Sequence, residues 1–141
     1  QRPIRFFDNT QEAFQYYKGV WTPVVKCGSE VVTLNTTVGT YRRSGRLVHA
    51  TFRIETTSMA LTTGGAVVIS GLPFTVAALS DGGLTVSPVL CSRAGSSTIL
   101  AQTNPTTKEI LLLTNSSPTV FSITGGTGLT IYGSVQYVLT E

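Results

Sequence analysis

From Val48 to Glu55 the chain alternates strictly, with Val48, Ala50, Phe52 and Ile54 on one side of an extended backbone and His49, Thr51, Arg53 and Glu55 on the other. Successive side chains of a strand point to opposite faces, so this run folds with one face in a core and one in water. A helix is excluded, because its apolar stripe returns every three to four residues. The preceding Tyr41-Arg42-Arg43-Ser44-Gly45-Arg46 reads as a tight turn feeding the strand. About thirty residues on, Ile69-Ser70-Gly71-Leu72-Pro73-Phe74 reads as a strand stopped by Gly and Pro.

The same grammar predicts strands over residues 30–38, 66–70, 97–102, 109–114, 119–124 and 128–139. Turn chemistry separates them at Thr63-Gly64-Gly65, Asp81-Gly82-Gly83, Asn104-Pro105, Asn115-Ser116-Ser117-Pro118 and Gly125-Gly126-Thr127-Gly128. The expected fold is all-β. At 141 residues and 41% hydrophobic content one core is affordable and a second is not. No stretch is apolar over the eighteen or so residues that cross a bilayer. The start, Gln1-Arg2-Pro3, is neither an initiator nor a signal peptide, and the only methionine is Met59. The chain therefore reads as a terminal module of a longer protein.

Charge is scarce. Only 12% of residues are charged, against roughly a quarter in ordinary soluble domains. Ile110-Leu111-Leu112-Leu113 is apolar at consecutive positions, so both faces of that strand leave water. It lies centrally in a sandwich, or its outer face meets another subunit. Burial of about 800 Å² against each of two neighbours would account for the missing charge, and an oligomer is the favoured expectation.

The net charge of +3 does not point to nucleic acid, because Lys18, Lys26, Lys108, Arg2, Arg5 and Arg93 are scattered and not interleaved with aromatics on one face. Arg42, Arg43 and Arg46 do cluster, around the Ser44-Gly45 turn. A soluble turn guarding a sheet edge is one reading. A bidentate contact for acidic sugars or phosphates on a glycan is the other.

Cys27 and Cys91 show no metal-ligand spacing and are expected as reduced, buried small hydrophobes. His49, the lone histidine, has no triad or metal cluster to join and is expected half-buried across the sheet or at an interface. The acids Asp8, Glu12, Glu30, Glu55, Asp81, Glu109 and Glu141 lie singly on different segments, whereas glycoside cleavage needs a carboxylate pair. No serine sits in a nucleophile elbow. No enzyme activity, cofactor or metal is expected.

The beginning of the chain differs. Asn9 followed by Glu12 has the capping-box arrangement, and Phe14 and Tyr17 share a side, which predicts one or two helical turns over 9–17. Six of the twelve aromatic residues fall within the first twenty-one positions, as Phe6, Phe7, Phe14, Tyr16, Tyr17 and Trp21. They are expected to anchor a terminus by packing. Residues 1–18 are read as a junction to a stalk, and 19–141 as a β head.

Gly19-Val20-Trp21-Thr22-Pro23, then Tyr41 to Ile54, then Ile69-Ser70-Gly71-Leu72-Pro73-Phe74 carry a family pattern. Their order and spacing resemble the C-terminal head, or knob, domains of tailed-bacteriophage tail fibres, tailspikes and tail needles. The resemblance runs from Gly19 to Tyr137. It implies a jelly-roll-like antiparallel β-sandwich, a homotrimer, and a place at the virion tail tip, assembled in the host cytoplasm and acting outside it. The partner implied is a host surface glycan or another envelope receptor. In this pattern Trp21, Gly45, Gly71 and Pro73 are architectural, and receptor contact falls to loops such as Asp81-Gly82-Gly83, 92–97 and 115–118.

A threefold axis would repeat any arginine facing it, and such like charges require carboxylates or a small anion between protomers. Arg53 and the Arg42/Arg43/Arg46 turn are the binding candidates, for an anion or a glycan. Three functions follow: a receptor-binding tip, a purely structural trimer clamp, and, third, a glycan-degrading module.

Overall fold

The computed structural model describes residues 16–32, 34–59, 65–92, 99–114, 119–120, 122–123 and 126–140. The chain runs through Tyr16–Val20 (β1), Val24–Cys27 (β2), Glu30–Val31 (β3), Thr36–Ser44 (β4), Leu47–Met59 (β5) and Gly65–Ser70 (β6). A 3₁₀ turn at Leu79–Asp81 precedes Val86–Cys91 (β7), Ile99–Thr103 (β8), Glu109–Thr114 (β9), Thr119–Val120 (β10), Ser122–Ile123 (β11) and Gly126–Val138 (β12). Every pairing among the described strands is antiparallel. The protein is all-β.

The strands form one continuous sheet in the order β1-β4-β5-β12-β7-β8-β9-β6-β2-β3, with β10 beside β9 and β11 beside β6. Partners are nested as β5 with β12, β6 with β9 and β7 with β8, the pattern of a long hairpin rolled up as in a jelly roll. Curling brings the two halves of the sheet onto one core.

The period of two builds that core. Val48, Ala50, Phe52 and Ile54 of β5 are buried, as are Leu129, Ile131, Val135 and Tyr137 of β12 and Ile110 and Leu112 of β9. Gly133 keeps phase with the β12 set and lies opposite Phe52. A methyl group there would stand 3.1 Å from the Phe52 ring and 3.0 Å from Val89, so the absent side chain makes room for Phe52.

Leu111 and Leu113, on the other face of β9, stay partly exposed. The strand is thus interior in the sheet order and still offers apolar surface outward.

Two expectations are revised. The helical lead-in over 9–17 does not hold where it can be seen: Tyr16 and Tyr17 open β1 and pair with Ser44 and Arg43 of β4. A single helical turn is marginal in water, whereas a strand edge supplies ready backbone partners. Residues 9–15 lie outside the described residues, and β1 itself runs across the expected boundary at 18/19. The strand expected over 30–38 breaks after Val31. There Val32 N–H returns to Val25 O, Asn35 N–H turns to Glu55 O, and β4 begins at Thr36. A further strand that was not among those expected, β7, contains Pro88. The β12 ladder meets β7 only at Val89, Leu90 and Cys91, so the missing N–H of Pro88 breaks no rung on that side.

Trp21 closes the seam where the chain leaves β1 for β2. Its indole N–H donates to both Thr40 O (3.0 Å) and Thr51 O (3.1 Å), its backbone N–H to Gly39 O (3.0 Å), and its ring meets Phe52 edge-on at 6.3 Å. Two glycines at this seam admit no side chain. Gly71 has φ +96° and would drive a side chain into the Thr22 carbonyl, and Gly39 would do the same at Trp21.

Tyr137 is fully buried, and its hydroxyl donates to Phe74 O (3.0 Å) while accepting from Phe74 N–H (3.3 Å). Burial pushes the phenol up to about 12, against about 10 when unfolded. Between those values the folded chain keeps a proton that the unfolded chain has lost, so stability falls as pH rises through this window and is complete below it. Tyr137→Phe should cost about 1–3 kcal/mol near neutrality by stranding both Phe74 groups. Denaturant unfolding of both proteins at pH 8 and pH 11 should show that gap narrowing at the higher pH; an unchanged gap contradicts the assignment.

Candidate functional site

The outward face of β1-β4-β5-β12 carries the polar half of the alternation, and register aligns its side chains into rows across the strands. Lys18, Arg42, His49 and Gln136 form one row. Val20, Thr40, Thr51 and Ser134 form the next, and Val38, Arg53, Tyr132 and Leu90 the third. The middle row is short, and its Thr40 and Thr51 hydroxyls are hydrogen-bonded to each other. Long side chains stand on both sides of it. A shallow trough results, running across the strands.

The third row is ordered by one carboxylate. Arg53 Nε and Nη2 donate to Glu55 Oε2 at 3.1 and 3.0 Å, and the Tyr132 hydroxyl donates to the same oxygen at 2.7 Å. The Arg53 guanidinium lies over the Tyr132 ring, 5.4 Å from its centroid. The Tyr132 hydroxyl, and after it Arg53, hold Glu55 below the usual carboxylate range, while hydrogen bonding to Glu55 raises both Tyr132 and Arg53. A depression of about 520 Å³ opens beside Arg53 and Tyr132 over the backbone of Phe52 and Gly133. Two smaller ones adjoin Arg42, between Lys18 and Tyr41 and between Leu47 and His49.

The four candidate arginines divide. Arg42 and Arg53 are exposed on this face, two rows and so about 14 Å apart along the strand. Arg43 points the other way and lies over the rings of Tyr17 (5.4 Å) and Phe74 (5.0 Å), with Nε donating to Gly45 O. Arg46 bridges to Asp81 at 2.6 Å and donates twice to Leu139 O. Arg43 and Arg46 thus tie the turn to its surroundings. The structure does not gather the turn arginines into one cluster.

His49 is half-buried between Arg42 and Gln136 in register. Cys27 and Cys91 are not joined in a disulfide, the first lying in the core and the second half-buried. Among the described residues no three His, Cys, Asp or Glu side chains group as metal ligands, and no helix is long and apolar enough to cross a membrane. Of the loops expected to contact a receptor, Asp81 is engaged by Arg46 and the Ser92 hydroxyl accepts from Thr130 N–H; residues 93–97 and 115–118 lie outside the described residues.

Sequence reasoning passed over Tyr132 and the Thr40-Thr51-Ser134 row. Thr130, Tyr132, Ser134 and Gln136 do alternate with buried neighbours, so their outward direction was readable. Their partners were not, being set by long-range register.

No known protein-family model matches the chain. The chain is 28% identical over 135 residues to a capsule KN4-specific depolymerase of Klebsiella phage K64-1. The likeness is to a bacteriophage protein. It takes in 95% of this chain and 18% of the depolymerase, so the chain spans under a fifth of that relative's length.

Tyr132→Phe removes the largest influence on Glu55 and leaves Arg53 in place. Carboxyl-carbon NMR titration should then find Glu55 ionising closer to the ordinary carboxylate range than in the parent, and an unmoved midpoint refutes the ordering of causes given above.

Proposed function

We propose that the chain is a head domain of a bacteriophage tail appendage that associates with copies of itself and contacts host surface glycan. The likeness to a phage capsule depolymerase supports the phage tail origin. The observation that carries the division of labour is that the two outward faces of the curled sheet differ in chemistry.

On β6 to β9 the outward side chains are mostly aliphatic, with Gln102 of β8 lying between Leu111 and Val86. Leu111 lies beside Val68, Leu113 beside Leu100, and Leu100 beside Pro88; Val86 and Leu90 next to them are 51% and 66% exposed. Charge enters this face at its margin, with Lys26 beside Val68 and Glu109 beside Ser70. A contiguous apolar patch is the ordinary mark of an association surface. It is the surface on which a trimer would form. The opposite face, with its hydroxyls, amide and arginines, is suited to carbohydrate, whose hydroxyls need donors and acceptors at close spacing.

A second reading, a glycan-degrading module, draws on the relative's name. Against it, Glu55 is taken by Arg53 and Tyr132 and Asp81 by Arg46. Both readings meet the same trial. The isolated head should have the mass of three protomers in solution, fall to one on Leu113→Lys, and bind host-type capsule without releasing new reducing ends. An intact trimer that ignores capsule and cells leaves the structural clamp, and release of reducing ends establishes the enzyme.

A further inference from the structure

Resting on the glycan-contact reading, we propose that the trough across β1-β4-β5-β12 binds an acidic polysaccharide, with the sugar chain lying across the strands and its carboxylates held by Arg42 and Arg53. The floor row Thr40-Thr51-Ser134 is one strand-to-strand line of small hydroxylated side chains. The rows on either side hold Lys18, Arg42, His49 and Gln136, and Val38, Arg53, Tyr132 and Leu90. At two residues per row the walls stand about 14 Å apart, and the axes of the first and last strands are separated by a similar distance. That channel is wide enough for one sugar chain with its hydration and too narrow for a folded partner to seat in.

Charge selects the acidic class. Lys18, Arg42 and Arg53 are exposed here, and among the described residues of this face they stand against one carboxylate, Glu55, which Tyr132 and Arg53 bind, so the face keeps a net positive charge. Arg53 is steadied by that pairing and by the Tyr132 ring beneath it, which lowers the entropy it would lose on gripping a ligand. Its remaining N–H groups can serve a carboxylate while the threonine and serine hydroxyls below meet sugar hydroxyls.

The test is an array of Klebsiella capsular polysaccharides, uronate-containing and neutral, probed with the whole chain. Binding should be confined to uronate polymers, weaken with salt, and disappear when their carboxyls are reduced to alcohols. Arg42→Ala and Arg53→Gln should each weaken it about tenfold, as for loss of one charge-assisted contact. Ser134→Trp, which fills the floor without touching charge, should abolish it, while Lys108→Ala, outside the trough, should not change it. Circular dichroism and thermal melting of each variant separate lost binding from lost fold. Binding that survives Ser134→Trp and both arginine changes, or that prefers neutral polymers, overturns the trough and spares the glycan reading. An array with no binding at all overturns both, and dissociation of the oligomer by the arginine changes would make this face a subunit contact instead.

Discussion

The β5–β12 ladder is the constraint on which the rest of the molecule depends. It runs without a change of phase from Leu47 opposite Val138 to Met59 opposite Gly126. Because side chains alternate, a one-residue slip of β12 against β5 would move Leu129, Ile131, Val135 and Tyr137 to the outside and Tyr132 into the core. Gly133 helps to fix the register: it leaves little room for a side chain opposite the Phe52 ring, and a one-residue slip would set Tyr132 or Ser134 there instead. The position of the core and the composition of the outer trough are two consequences of one register.

The ladder leaves a seam where the curled sheet must close, and Trp21 resolves it. An indole buried without a partner would lose the free energy of an unmade hydrogen bond; here the N–H is shared between carbonyls of β4 and β5. Gly39 admits the Trp21 carbonyl, and Gly19 admits the Tyr41 ring. Tyr41 in turn meets Phe74 edge-on at 5.3 Å, and Phe74 carries Arg43 on its ring and the Tyr137 hydroxyl on its backbone. The segments around 19–23, 41–54 and 69–74 that stand out in the sequence therefore meet at one place. Their spacing in the chain reflects the distance between strands that must close on each other.

Much of this was legible and some was not, for separable reasons. Alternation identified β5 and sorted its inward from outward residues, because period two is a local property, while apolar runs between turn residues located β6, β9 and β12. The turn at Gly45 and the stop at Gly71 were readable from backbone chemistry and have positive φ. Tyr16 and Tyr17 were misread because a capping box is also local, and the pull of the β4 edge on these two residues comes from more than twenty positions away. β7 lay outside the expected strands; its Pro88 is accommodated because the β12 ladder meets β7 only beyond it. At the candidate site, Arg42 and Arg53 could be named in advance, but their separation from Arg43 and Arg46 could not. Two arginines adjacent in sequence point to opposite faces of a strand, and Arg46 lies beyond the turn.

The scarcity of charge takes on a definite meaning once the faces are distinguished. A chain with few ionised side chains can spread them thinly or concentrate them. Here Lys18, Arg42, Arg53 and Glu55 sit on one outward face, while Val68, Leu100, Leu111 and Leu113 occupy the other. Spreading would have left both faces moderately soluble and neither specific. The difference leaves one largely apolar surface, of the kind that marks association sites, and one with a net positive charge among its described residues. If a single sheet is to present both, they must lie on opposite halves of the curl, which is what the β12–β7 junction achieves by joining the Arg53-Tyr132 row to Leu90 over only three residue pairs.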